Sequence, residues 1–162
     1  MNAINKGRMG GVYVVEFAII GLLLFTLLFG VLEMGRLYFT VNALDEVVRR
    51  GARLAAVCDI RDEDILRRAI FNEAGSGDDA PSSLIGGLQT ANLTLDYLDV
   101  NGESVANPDE IRYVQLRVED FPFELLIPGF GGVFTLPAFR STIPRESLGR
   151  HAEDITPEIT SC

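Results

Sequence analysis

The residues of this sequence whose types and spacing could carry chemistry are few, and the most costly of them is a carboxylate. Glu16 stands four residues into an apolar block that begins at Val12. Bilayer insertion of an acid costs about 2.5–3.5 kcal/mol near the membrane centre and less near its edge. A residue that expensive asks for a partner of opposite sign. The two cysteines, Cys58 and Cys162, have neither a CxxC spacing nor a histidine pair nearby, which argues against zinc, and no metal is expected. In an oxidising compartment they can pair and close a loop over most of the chain, worth roughly 4–5 kcal/mol in the entropy picture. In a reducing one they would be two free buried thiols. The single histidine, His151, lies in a polar tail (GRHAEDITPEITS) with no Cys or Ser motif beside it, so no catalytic residue is expected. Pro128-Gly129-Phe130-Gly131-Gly132 lacks the Lys-Ser/Thr of a phosphate loop and reads as a turn. No cofactor is expected.

Glu16 must be positioned by the apolar block itself. FAIIGLLLFTLLFGVL, residues 17–32, has Thr26 as its one polar side chain, and with VYVVE before it the block reaches about 20 residues, enough to cross a ~30 Å hydrocarbon core. Lys6 and Arg8 precede the block with no acid among them, whereas Glu33 and Arg36 nearly cancel at its other end. The excess of basic residues places the N-terminus in the cytoplasm. A secretory signal would have a shorter apolar region ending in small residues, and here the run ends in Glu33-Met34-Gly35-Arg36.

Around Glu16 the sequence reads Lys6-Gly7-Arg8-Met9-Gly10-Gly11, then Val12-Tyr13-Val14-Val15-Glu16-Phe17. This resembles the processing site of type IV prepilins. The continuation carries Val15-Glu16-Phe17-Ala18, Glu33-Met34-Gly35-Arg36, Asn42-Ala43-Leu44 and Arg50-Gly51-Ala52-Arg53. Over roughly residues 8 to 58 it resembles the TadE-like family of minor pilins from tight-adherence (Flp-type) pilus systems. The resemblance implies that a membrane prepilin peptidase cuts on the cytoplasmic side between Gly11 and Val12, and that Glu16 becomes the fifth residue of the mature chain. There is a physical reason for the pair. The cut creates an α-amine on Val12, and one helical turn on, the Glu16 carboxylate can meet an amine, its own or a neighbour's, where either charge alone would be expensive. Glycine before the bond offers the peptidase an unobstructed, extended backbone.

Beyond the block, Leu37, Val41, Leu44, Val48, Ala52 and Ala55 fall on one helical stripe. One helix from Val12 to Val57 is therefore expected, bent if anywhere at Gly35 or Gly51. Asp45 and Arg49, and Glu46 and Arg50, stand four apart with the acid first, each pair worth ~0.2–0.5 kcal/mol on a solvated face. A second helix is expected from about Asp62 to Glu73, capped by Asp59 or Asp62 and ended by Gly75. A surface loop, Gly75–Ser83, follows. Three strands are expected, over about 92–100, 111–119 and 133–143, with Asn101-Gly102 turning between the first two and Pro137 making the third an edge or bulged strand. FPFELLIP, residues 121–128, is an apolar excursion that either packs the sheet onto the helix or meets another subunit.

The fold class is thus α+β and pilin-like: a long N-terminal helix, a short second helix and a small antiparallel sheet of about three strands. The expected organisation is a leader (1–11), a transmembrane helix (12–33) and an extracytoplasmic head (34–162). The chain of 162 residues carries 14 Lys+Arg against 23 Asp+Glu, net −9. With Lys6 and Arg8 set aside, 12 basic residues face 23 acidic ones, so the exported part is at −11. A surface of that sign repels phosphate backbones and excludes nucleic acid as a partner. The family likeness implies a minor pilin or pseudopilin in the inner membrane, crossing it once, with its head in the periplasm or extracellular in the pilus. Its partners would be the prepilin peptidase, the major pilin and other minor pilins, the inner-membrane assembly platform and the lipid bilayer. The alternatives are a membrane-resident assembly factor that never enters the fibre, and a membrane-anchored periplasmic binding module.

Overall fold

A computed structural model of the chain describes residues 10–60, 62–73, 77, 80–127, 131–150 and 162. Helix α1 (Gly10–Val57) is a single element of 48 residues, about 72 Å long at 1.5 Å per residue. Neither Gly35 nor Gly51 interrupts it. Its two halves have different surroundings. From Val12 to Leu32 every residue other than glycine is exposed, whereas Ala43, Leu44, Val47, Val48, Ala52, Ala55 and Ala56 are buried. The expected stripe is therefore the face on which the head is built.

Against that stripe lies a three-stranded antiparallel sheet of order β1-β2-β5, from strands β1 (Leu93–Leu98), β2 (Tyr113–Val118) and β5 (Phe139–Pro144). Val114, Leu116 and Val118 alternate inward along β2 and are fully buried, as a period of two on a one-sided sheet requires. The register pairs Leu95 with Leu116 and Leu116 with Ser141. The β1–β2 connection turns at Asn101-Gly102 as expected, with Gly102 at φ 86°. The Asp99 carboxylate accepts from the Asn101 and Glu103 backbone N–H groups at 2.8 and 2.9 Å, which holds that carboxyl below its usual range.

Three elements differ from the sequence reading. Helix α2 (Asp64–Ala69) is shorter than expected. The N-cap position is Glu63, with no side-chain cap, in place of the expected Asp59 or Asp62; Asp62 accepts from the Asp64 N–H at 2.9 Å. The helix stops before Gly75 because Phe71 takes a left-handed conformation, φ 66°, and the Asn72 N–H closes back on the Arg67 carbonyl at 3.0 Å. Arg50, expected to pair with Glu46, lies over the Phe71 ring at 5.0 Å, while Asp45 and Arg49 do pair, at 2.5 Å. The third strand is two strands. Residues 133–143 split at Leu136-Pro137-Ala138 into β4 (Gly132–Thr135) and β5, and β4 pairs with β3 (Pro122–Leu125) in a separate two-stranded ribbon. The excursion at residues 121–128 supplies β3, and its Phe121 and Phe123 are buried in the main core.

The C-terminal end of α1 is closed by a segment far along the chain. A helix leaves its last carbonyls without partners. Here the Glu146 and Leu148 N–H groups donate to the Ala56 carbonyl at 3.1 and 3.2 Å, and the Gly149 N–H donates to the Val57 carbonyl at 2.6 Å. The Ser147 hydroxyl also donates to the Val57 carbonyl, at 3.0 Å. Gly149 is required there twice over, by φ 76° and by the Asp59 backbone, which a Cβ would meet at 2.8 Å. The expectations for residues 1–9, 75–76, 78–79, 128–130 and His151 fall outside the described residues.

Candidate functional site

Gly11, Val12 and Glu16 all lie in the first two turns of α1, and Gly11, Val12, Val15, Glu16 and Ile19 share one face of it. Val12 and Glu16 are one turn apart, about 6 Å along the axis, so a carboxylate at Glu16 is within side-chain reach of an amine on Val12 or on a neighbouring helix. Among the described residues Glu16 has no hydrogen-bonded or charged partner of its own. The Gly11–Val12 bond is helical here, not extended. That is no great obstacle to a peptidase: the first four N–H groups of a helix make no intrahelical bond, and each glycine costs about 1 kcal/mol of helix stability relative to alanine. Among the described residues, a Cβ at Gly11 would meet nothing within 4 Å.

Further along the apolar half, Thr26 donates to the Leu22 carbonyl at 2.8 Å. Its hydroxyl is therefore satisfied within the helix, as an apolar medium demands. The half ends in a collar whose contacts to the FPFEL run are not anticipated by the Glu33-Met34-Gly35-Arg36 group in sequence. Glu33 is 7% exposed and meets Arg36 at 2.5 Å. The Arg36 guanidinium stacks over the Phe123 ring at 5.0 Å and points two longer contacts, 3.4 and 3.5 Å, at the Glu124 carbonyl. The signal that could have found this was the apolar-aromatic FPFEL run, which has to bury its phenylalanines against something.

At the other end of α1 the structure brings Cys58 and Cys162 together, their Cα atoms 5.6 Å apart, inside the range a disulfide needs. The pair links positions 104 residues apart, and the Cys162 N–H donates to the Asp62 carboxylate. Tyr97 packs in the same cluster. Burial, together with the charges of Asp59 and Asp62, pushes its phenol from the usual 10.0 up to about 12. Its hydroxyl is buried without a hydrogen-bond partner among the described residues. A raised folded pKa contributes stability that is whole below about pH 10 and is lost as the pH climbs through about 12. Tyr97→Phe should therefore match or slightly exceed the parent in stability at pH 7, since it removes an unpaired polar atom. It should also show a flatter loss between pH 10 and 12, read by denaturant titration across that window. A clear loss at pH 7 would mean that the phenol has a partner.

Two comparisons return nothing: no curated protein and no solved structure matches the chain. A third does match. The family model described as TadE-like protein covers residues 11–53, from the residue before the candidate cut to the last arginine of the Arg50-Gly51-Ala52-Arg53 group. That stretch contains Glu16, the apolar half of α1, the Glu33–Arg36 collar and most of the buried stripe.

Proposed function

With a TadE-like segment at residues 11–53 as premise, we propose that this chain is a minor pilin or pseudopilin of a tight-adherence, Flp-type pilus system. It enters the inner membrane with residues 1–11 on the cytoplasmic side, residues 12–33 across the bilayer and residues 34–162 outside. The prepilin peptidase cuts between Gly11 and Val12. The assembly platform then draws α1 out of the lipid to lie among the helices of the major pilin and other minor pilins, while the head primes or caps the fibre. In the oxidising space outside, Cys58 and Cys162 form a disulfide that fixes the C-terminus to the end of α1. On this reading the chain is structural and uses no cofactor.

One observation supports it above the others. Among the described residues, none packs around nearly half of a 48-residue helix, while the other half is the spine of a folded head. A bare apolar rod of that length needs a medium, lipid in one state and other helices in the next, and Glu16 is the single charge set into it.

The test has two readouts. Mass spectrometry of the chain from membranes holding the peptidase should give a species beginning at Val12, and Gly11→Ala should leave it uncut. Sheared fibres should contain the mature chain. An intact Met1, or a cut after residue 30, would defeat the processing step. A processed chain confined to the membrane fraction of piliated cells would instead describe a resident assembly factor.

A further inference from the structure

One face of α1 is left uncovered by the head and continues out of the apolar half. It passes from Leu28 through Leu32, Gly35, Phe39 and Asn42 to Glu46, and two turns on to Arg53, every one of them exposed. Steps of three and four residues keep these positions on one side of a helix. The charges flanking them are engaged within the chain: Arg49 pairs with Asp45 at 2.5 Å, and Arg50 lies over the Phe71 ring. Glu46 and Arg53 have no ion-pair partner among the described residues. They stand seven residues apart, about 10 Å along the axis. Beside this face, between α1 and β3, is a groove of about 490 Å³ lined by Arg36, Phe39, Thr40, Leu84, Phe121 and Leu126. Its rim is apolar, with Phe39 52% and Leu126 63% exposed.

These charges suit one occupant, the α1 of a second copy lying parallel to the first. Two copies side by side in one bilayer hold their spans at the same depth, which sets Glu46 of one against Glu46 of the other and Arg53 against Arg53. Like charges in register repel. Moving one copy outward by seven residues removes both clashes and brings its Glu46 against Arg53 of the inner copy. The same shift sets Leu28 of the outer copy against Gly35 of the inner one, and Gly21 of the outer copy against Leu28 of the inner one. Each time a large side chain meets a glycine. Among the described residues a Cβ at either glycine would meet nothing within 4 Å, so two helix axes can approach closely there. The shift also lifts Leu32 of the outer copy to the level of Phe39, at the lip of the inner copy's groove, so the apolar end of the outer span exchanges lipid for apolar cover. We propose that the uncovered face of α1 and the groove beside it form a contact between two copies of this chain in the fibre, staggered by about 10 Å and held in register by a Glu46–Arg53 pair. Being staggered, the contact is heterologous and differs from a two-fold dimer. It is closed to two chains resting in the bilayer and forms as one is drawn out past the other. The inference rests on the fibre reading above and names a partner of α1 within it.

Charge reversal reads this register. In cells lacking the parent chain, Glu46→Arg leaves two cations at the contact and Arg53→Glu leaves two anions. Each should lower the ratio of chain in sheared fibres to chain in membranes by about three- to tenfold, the size expected when a solvent-screened pair is replaced by a repulsion. The double reversal, Glu46→Arg with Arg53→Glu in one chain, restores an opposite pair and should return the ratio to near the parent's. Co-expression of the two single variants should do the same, because in either order position 46 of one chain then meets an opposite charge at position 53 of the other. A defect inside one helix cannot be mended by a second chain. The Val12 start is verified for every variant. Both rescues are required. Parent-level incorporation of the single variants would overturn the contact and leave the fibre reading standing. Rescue by the double reversal alone would overturn it in favour of a pairing within one chain. Losses mended by neither would overturn it in favour of a contact with a different pilin. Absence of the parent chain itself from the fibres would defeat the fibre reading, and the contact with it.

Discussion

Replacing Gly51 with valine should unfold the head or cost it about 3 kcal/mol or more. The reason is the space around it. A Cβ there would land inside the radius of Leu116 Cδ2 and 2.8 Å from the Cβ of Ala69. Leu116 is fully buried at the centre of β2 and Ala69 is fully buried on α2. Neither can move aside without opening the main core, because cores are packed close to crystal density. At Gly51 the helix meets both the sheet, through Leu116, and the second helix, through Ala69, and the absence of a side chain is what allows it. Gly51→Ala should already be destabilising, by less than valine. Gly35→Ala is the matched control, for nothing lies within 4 Å of its would-be Cβ, and removing a mid-helix glycine there should be neutral or stabilising by up to about 1 kcal/mol. Denaturant unfolding of the full chain in detergent, followed by near-UV circular dichroism, separates them. Equal midpoints for parent and Gly51→Val would mean that the helix–sheet distance is wrong.

The same residue marks what was readable in the sequence. Periodicity gave α1 nearly to the residue, because the 4-3-4-4-3 stripe and the apolar block are properties of a local run and need no partner to be seen. The inward alternation on β2 was visible for the same reason. The sequence marks Gly35 and Gly51 alike as places where the helix could bend, since glycine weakens helices; the helix is continuous through both, and Gly51 serves a neighbour. Non-local pairings were not visible. Val133 to Ile143 alternates well enough to pass for one strand, but Pro137 divides it, and its two parts pair with β3 and β2. Nothing in a local window tells which partner each part will find. The closure of α1 by residues 146–149 is of the same kind: the helix has no glycine of its own just past Val57, and the donors to its last carbonyls come from about ninety residues away. At the candidate site the positions of Gly11, Val12 and Glu16 follow from numbering along one helix. The collar of Glu33, Arg36 and Phe123 joins residues far apart in sequence, and so only folding reveals it.

Glu16→Ala should leave the chain in the membrane and remove it from the fibre. Alanine is more apolar than glutamate, so insertion becomes easier, by up to about 2.5–3.5 kcal/mol were the site central and by less near the edge where it lies. Assembly is the opposite case. On the proposed reading, the new amine on Val12 pairs with the Glu16 carboxylate of the same or an adjacent subunit among apolar side chains, and removing one partner would strand the other. Breaking a buried pair in this way costs about 3–5 kcal/mol, which is a hundredfold or more in partition into the filament, since 1.4 kcal/mol is a factor of ten. Glu16→Gln keeps the length and a hydrogen-bonding group but loses the charge. It should fail nearly as badly if the pairing is ionic, and should be rescued in part by Glu16→Asp. The measurement is the ratio of chain in sheared fibres to chain in membranes, with the Val12 start verified for each variant so that a processing defect is not mistaken for an assembly defect. A wild-type ratio for Glu16→Ala, with normal processing, would show that the carboxylate has no part in assembly. It would leave unexplained why a charge is kept in the one stretch of this molecule that is otherwise built for oil.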